Sequence, residues 1–251
     1  MWKWVWPVIA MTLACQGCSE AVAEQGRGQR EPSVIQRIVS PDILGSNSAY
    51  VESLLGTPPR HTAVDGVGIT RNTYEVGECF ITTGVRGGRV VSVGLGLTPG
   101  VCDVDVAELL GRSQPTLASA TTYRDWSVRG PLHFTDLQMP SCMACWESYP
   151  FALIDGTSAR GMFDILLNGL GDWEGANAWS EAVRQSGLDL DNLPYSGSGC
   201  PLRAFDQIGF EQMANTRVDT IEFGRPDAVQ PACSARPAQM RRGEDTYLLG
   251  D

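Results

Sequence analysis

Between Tyr74 and Leu97 the chain reads YEVGECFITTGVRGGRVVSVGLGL, and this stretch confines the fold more than any other. Two runs rich in β-forming residues, Glu78 to Val85 and Arg89 to Leu97, flank Arg86-Gly87-Gly88. Glycine reaches positive φ without steric cost, so the Gly-Gly pair supplies the reversal of a tight β-hairpin. Cys79 lies in the first run and Cys102 just beyond the second, so closing the hairpin brings them together and predicts a disulfide between them.

Around the hairpin the pattern is helical and short. Ser46-Asn47-Ser48 offers capping side chains to a helix Ala49 to Leu55, which Gly56 and Pro58-Pro59 stop, with Tyr50, Val51, Leu54 and Leu55 on its buried face. A strand around Arg71 to Val76 follows Asp65-Gly66. Val104 to Leu110, ended by Gly111, echoes the first helix: Val51-Glu52-Ser53-Leu54-Leu55-Gly56 against Val106-Ala107-Glu108-Leu109-Leu110-Gly111. The echo predicts two helix-plus-strands units. Further strands are expected at Ser148 to Ile154 and Met162 to Leu167, joined by a turn at Asp155-Gly156-Thr157-Ser158. A helix carries Ala176, Trp179, Ala182 and Val183 on one stripe and stops at Gly187. A helix Leu202 to Ala214 and a strand Arg217 to Phe223 close the fold. The fold class is α+β: antiparallel sheet packed by short helices and stapled by disulfides, with a first unit over 34–102, a second over 103–224 and an irregular tail over 225–251.

The N-terminus gives the address. Lys3 is followed by an apolar run, Trp4 to Ala14, too short to span a bilayer, the pattern of a secretory signal over residues 1–17, and residues 18–33 read as a flexible tether. Lipidation at Cys18 leaves six other cysteines, as does cleavage after Ala21-Val22-Ala23; lipidation at Cys15 strands Cys18 as an odd thiol. The region is similar to a bacterial lipoprotein signal, and Ser19 after Cys18 points to the outer membrane if the source is Gram-negative. Cys18 is thus the expected anchor, with Cys15 or soluble secretion as alternatives. In an oxidising compartment the remaining cysteines pair by sequence neighbourhood: Cys79 with Cys102, Cys142 with Cys145, Cys200 with Cys233.

Composition removes several functions. A formal net charge of −10 repels nucleic acid, and the arginines are scattered rather than clustered. Cys142-Met143-Ala144-Cys145 is the sharpest chemical motif; at a helix N-terminus its first thiol would be acidic enough for disulfide exchange. Here Pro150 follows soon after and points to a turn entering a strand, so a structural staple is expected and a thiol oxidoreductase is the alternative. A four-cysteine zinc site needs two close pairs, and beyond Cys18 the chain has one. Only His61, in a loop, and His133, in a strand, are available, and both read as surface or half-buried residues. Asp103, Asp105 and Glu108 read as acids at a helix N-terminus rather than calcium ligands, and Asp189, Asp191 and Asn192 lack the rest of a calcium loop. Ser196-Gly197-Ser198-Gly199 is no nucleophile elbow. Trp126, Trp146, Trp173 and Trp179 read as core or interface anchors. No cofactor or metal is expected.

The helix ending in Leu-Gly-x-Pro followed by strands with a Gly-Gly hairpin resembles the periplasmic modules of the β-lactamase inhibitor protein type and the small lipoprotein of the outer-membrane β-barrel assembly machinery, over about residues 46 to 97 and again over 103 to 170. That resemblance implies an α+β module whose sheet face binds another protein without catalytic residues. The second half also looks like uncharacterised secreted bacterial proteins, which implies no activity. The expected function is that of an exported, lipid-anchored envelope protein that binds another envelope or secreted protein non-covalently.

Overall fold

Strands send their side chains alternately to two faces, and in this chain most of the helices gather on one of them. The computed structural model describes residues 33–136, 150–156, 163–169, 173–187 and 203–229. Its centre is an eight-stranded antiparallel sheet of β1 (His61–Val64), β2 (Thr70–Val76), β3 (Cys79–Arg86), β4 (Arg89–Gly96), β5 (His133–Asp136), β6 (Pro150–Ile154), β7 (Asp164–Asn168) and β8 (Thr220–Gly224). The order across the sheet is β1-β2-β3-β4-β8-β7-β6-β5, so residues 34–102 and 103–224 each contribute four strands and meet where β4 pairs with β8. The hairpin is as expected: Arg86 opposes Arg89 across Gly87 and Gly88, whose φ values are +57° and +73°. The Cys79–Cys102 disulfide fixes the chain leaving β4 to the start of β3, and both cysteines are buried.

One face of the sheet carries the core. Tyr74, Ile81, Leu95, Ile221, Ile165 and Phe134 are buried on it, under Val51 of α2 (Ser48–Leu55), Trp179 of α4 (Trp173–Gln185) and Met213 of α5 (Asp206–Met213). The short helices α1 (Val34–Ile38) and α3 (Tyr123–Trp126) join the same cluster through Ile38 and Trp126. The indole N–H of Trp126 donates to Thr121 Oγ1 at 2.8 Å, which lets that large ring be buried without an orphaned donor. Helix α2 is capped as its sequence directs: Asn47 Oδ1 accepts from the Ala49 N–H at 2.9 Å, and Gly56 ends it at φ +67°. Val51 is buried and Leu54 and Leu55 half-buried, but Tyr50 is 47% exposed, because the pairs Tyr50-Val51 and Leu54-Leu55 together span more of the helix circumference than the core covers. Helix α4 buries Ala176, Trp179 and Val183 and gives way to Gly187 at φ +86°.

Three expectations are corrected. Residues 104–110 form turns, not a second helix: Ala107 N–H donates to Asp105 Oδ1 at 2.9 Å, and Val106 N–H to the Thr116 carbonyl at 2.8 Å. The acids read as helix-terminal are therefore loop organisers, with Asp103 Oδ1 accepting from Ser119 N–H at 3.1 Å. His61 lies in strand β1, pairing with Thr73, rather than in a loop. The tail does not turn irregular at Arg225, because Pro226–Val229 forms helix α6, which buries Ala228 and Val229.

Candidate functional site

Residues directly opposed in antiparallel strands point the same way, so the register defines the sheet face turned away from the core. One line crosses all the strands: His61, Thr73, Thr82, Gly94, Glu222, Leu166, Leu153, His133. A second runs beside it through Ala63, Arg71, Gly84, Ser92, Gly224 and Asp164. Helix α6 closes part of this face: Ala228 packs with Ile69 and Val91, and Val229 with Leu153 and Leu166. Part of the remaining face is exposed. Phe80, opposite Glu75, is 47% exposed, and Thr82 and Gly96 are exposed.

Arg71 lies flat across this face. From β2 it passes over Gly84 of β3 to donate to Ser92 Oγ of β4 at 2.9 Å and to Glu222 Oε1 of β8 at 3.1 Å. Its remaining nitrogens reach Asp65 Oδ2 at 3.4 Å and the Ala228 carbonyl of α6. Two glycines clear the lane. A Cβ at Gly84 would lie 2.5 Å from Ser92 Oγ and 3.2 Å from Arg71 Nη1; one at Gly94 would lie 2.7 Å from Thr82 Oγ1. Burial raises the Glu222 carboxyl above its ordinary range even though Arg71 pulls it down. Burial also pushes Asp65 up, but N–H groups of Ile69 and Val67 and the charge of Arg71 outweigh it and leave that carboxyl low. This group has the character of a structural clamp, since every arm of Arg71 is already engaged.

A second charged group stands at the β5 edge. His133 is buried, correcting its reading as a surface or half-buried residue, because Asp206 of α5 takes its Nδ1 at 2.6 Å and accepts the Phe134 N–H at 2.9 Å. Arg203 Nη1 lies 2.9 Å from Nε2 and its other arm binds Asp155, whose Oδ2 is 3.5 Å from Nε2. Asp164, on β7, is buried; burial and the nearby Asp155 raise its carboxyl, against the Gly156 N–H and Arg203.

Of the residues singled out from sequence, Cys79 and Cys102 are joined. Cys15, Cys18, Cys142, Cys145, Cys200 and Cys233 lie outside the described residues. His61 and His133 sit on opposite edge strands. Among the described residues no three His, Cys, Asp or Glu side chains gather to hold a metal ion, and no helix is long and apolar enough to cross a membrane. Arg71, Glu222, Asp206 and Arg203 drew no attention in the sequence. The one available signal was Gly84 and Gly94 inside strands, where glycine marks a close approach.

No protein-family model matches the chain, and no curated protein matches its sequence. Among solved structures it is similar to an extracellular protein containing a SCP domain from Bacillus anthracis str. Ames, at 12% identity and TM-score 0.38 over 83% of this chain and 51% of that one. It is also similar to a cysteine-rich secretory protein from Staphylococcus aureus subsp. aureus Mu50, at 9% identity and TM-score 0.32 over 74% and 46%. The chain spans about half the length of these structures. The resemblance to inhibitor-type and assembly-lipoprotein modules is corrected: the solved structures that match are an extracellular SCP-domain protein and a cysteine-rich secretory protein, and the sequence echo behind a second module is a loop.

Proposed function

We propose that this protein is exported and works by non-covalent binding of another envelope or secreted protein through the open part of its outward sheet face. The carrying observation is Phe80, 47% exposed on a strand beside the small residues Thr82 and Gly96, while the helices of the core crowd the opposite face. A large apolar ring held on a rigid strand among short neighbours costs little entropy to bury against a partner. Export is supported by the signal-like residues 1–17 and by the Cys79–Cys102 disulfide, which an oxidising compartment maintains. The anchor is a lipid on Cys18, which places the protein on the outer membrane of a Gram-negative cell; the soluble alternative needs only cleavage after Ala23.

The test is photo-crosslinking in the producing cell, with a photoreactive residue at position 80 or 82 and a control at Tyr50 on the exposed side of α2. A discrete adduct from 80 and 82 but not from 50, lost on Phe80→Asp at the neighbouring probe, is the expected result. Adducts absent from the sheet probes overturn the reading. Mass spectrometry of the mature N-terminus decides the anchor: a diacylated Cys18 supports it, and a free Glu24 terminus replaces it with soluble secretion.

A further inference from the structure

We propose that His133 is a proton-operated latch: a proton added at Nε2 releases Arg203 from strand β5 and hands the ring to Asp155. The network assigns the tautomer. Asp206 Oδ1 accepts the Phe134 N–H at 2.9 Å, so its Oδ2, 2.6 Å from Nδ1, is the oxygen left to receive the ring proton. A guanidinium only donates, so Arg203 Nη1 at 2.9 Å requires Nε2 to accept. Nε2 accepting from Arg203 and Nδ1 facing Asp206 Oδ2 together assign the ring a single proton, on Nδ1.

Adding a proton at Nε2 turns that acceptor into a donor. Two N–H groups then face each other and two cations meet beside a histidine side chain that is 8% exposed. The ring cannot leave, because Asp206 and the sheet hold it. Arg203 can: its side chain is 55% exposed and its turn, Arg203–Phe205, precedes α5 without belonging to it. Asp155 Oδ2, at 3.5 Å, is the acceptor that takes the new N–H.

Among the described residues, the charges facing the ring are Asp206 from α5, Arg203 from its turn and Asp155 after β6, with Asp164 of β7 interacting with the last two. Three carboxyl groups thus stand against one guanidinium, and the cluster has room for one more positive charge. Acidification supplies the proton that Nε2 takes up, and so works the latch. Asp206 keeps β5 and α5 together in both states, and only the Arg203 turn is let go.

The chain has two histidines, which makes the test clean. In the folded mature protein, the ring nitrogens of His133 and the guanidinium signal of Arg203 are followed by nitrogen-resolved NMR from pH 8 to pH 5, with His133→Gln identifying the ring. At pH 8 the Nδ1-protonated tautomer is expected. On acidification the Arg203 signal shifts to that of a free guanidinium in step with protonation of Nε2, while in H133Q it stays constant. An Arg203 signal that holds still while the ring titrates, a ring that stays neutral throughout, or an Nε2-protonated tautomer at pH 8 overturns the proposal. The wild-type titration decides it alone if H133Q does not fold.

Discussion

Residues 51–56 and 106–111 place valine, glutamate, two leucines and glycine in nearly the same order, and they fold differently. The first lies in helix α2; the second is a set of turns. Both valines are buried to 1% exposure, and both closing glycines sit in the left-handed region, at φ +67° and +66°. What differs is the company of the first N–H groups. Asn47 satisfies one donor of α2 from outside and leaves the carbonyls of the segment to their own helix. Asp105 stands directly before Val106 and draws Ala107 N–H and Thr116 N–H to one oxygen at 2.9 Å, and the Val106 N–H goes to the Thr116 carbonyl. Leu110 N–H still reaches the Val106 carbonyl at 2.9 Å, so one helical turn closes here, and no second turn follows it. An apolar pattern sets which side chains are buried; the acceptors nearest its N-terminus set the backbone that buries them.

The largest difference between the two segments should come from covalent support. Cys102 ties the start of the second segment to β3, and the first has no such tie. Replacing both Cys79 and Cys102 by serine should cost about 3 kcal/mol in urea denaturation, through the freed unfolded chain. Hydrogen exchange should then show residues 102–119 losing protection while α2 keeps it; equal losses would mean that the loop is held by packing alone.

Next in size is Asp105→Ala, which removes the acceptor of two backbone donors. A loss of about 2 kcal/mol is expected, with Asp105→Asn, which keeps one acceptor oxygen, losing less. Circular dichroism sharpens the comparison: a gain of helical signal in D105A would mean that the carboxylate alone keeps 106–111 from following 51–56, and an unchanged spectrum would give that role to the Thr116 carbonyl as well.

How much of this was legible follows from the range of each interaction. The hairpin was, because its turn, glycines and flanking strands all lie within the stretch itself, and the observed register agrees. The stripe of α4 was legible for the same reason. The α+β class followed from both. Arg71 reaching Glu222 was not, since that contact needs β2, β3, β4 and β8 in register and glycine at two crossings. His133 with Asp206 joins an edge strand to a helix far along the chain, and nothing local to either residue announces it. Residues 104–110 misled because their apolar pattern is helical while the acids Asp103 and Asp105 are bound to a segment 11 to 16 residues away.

The glycines offer a matched pair. A Cβ at Gly56 or at Gly111 meets nothing within 4 Å, so each alanine substitution probes the left-handed backbone and little else. Gly56→Ala and Gly111→Ala should each cost between about 1 and 2 kcal/mol, and nearly the same amount. A much smaller cost at one site would show that its backbone can leave that conformation, and would end the equivalence of the two closures.

The smallest effect expected is at Asn47, and it bears on the comparison most directly. Asn47→Ala removes the cap of α2 and should cost about 1 kcal/mol. Asn47→Asp and Asn47→Ser should recover most of that, because each returns an oxygen acceptor to the same place. The loss should fall on residues 48–55 in hydrogen exchange and leave 106–111 untouched, since the second segment takes its acceptors from Asp105 and Thr116. If N47A instead costs nothing, α2 is held by Val51 in the core, and the difference between the two segments belongs wholly to the loop that captures the second.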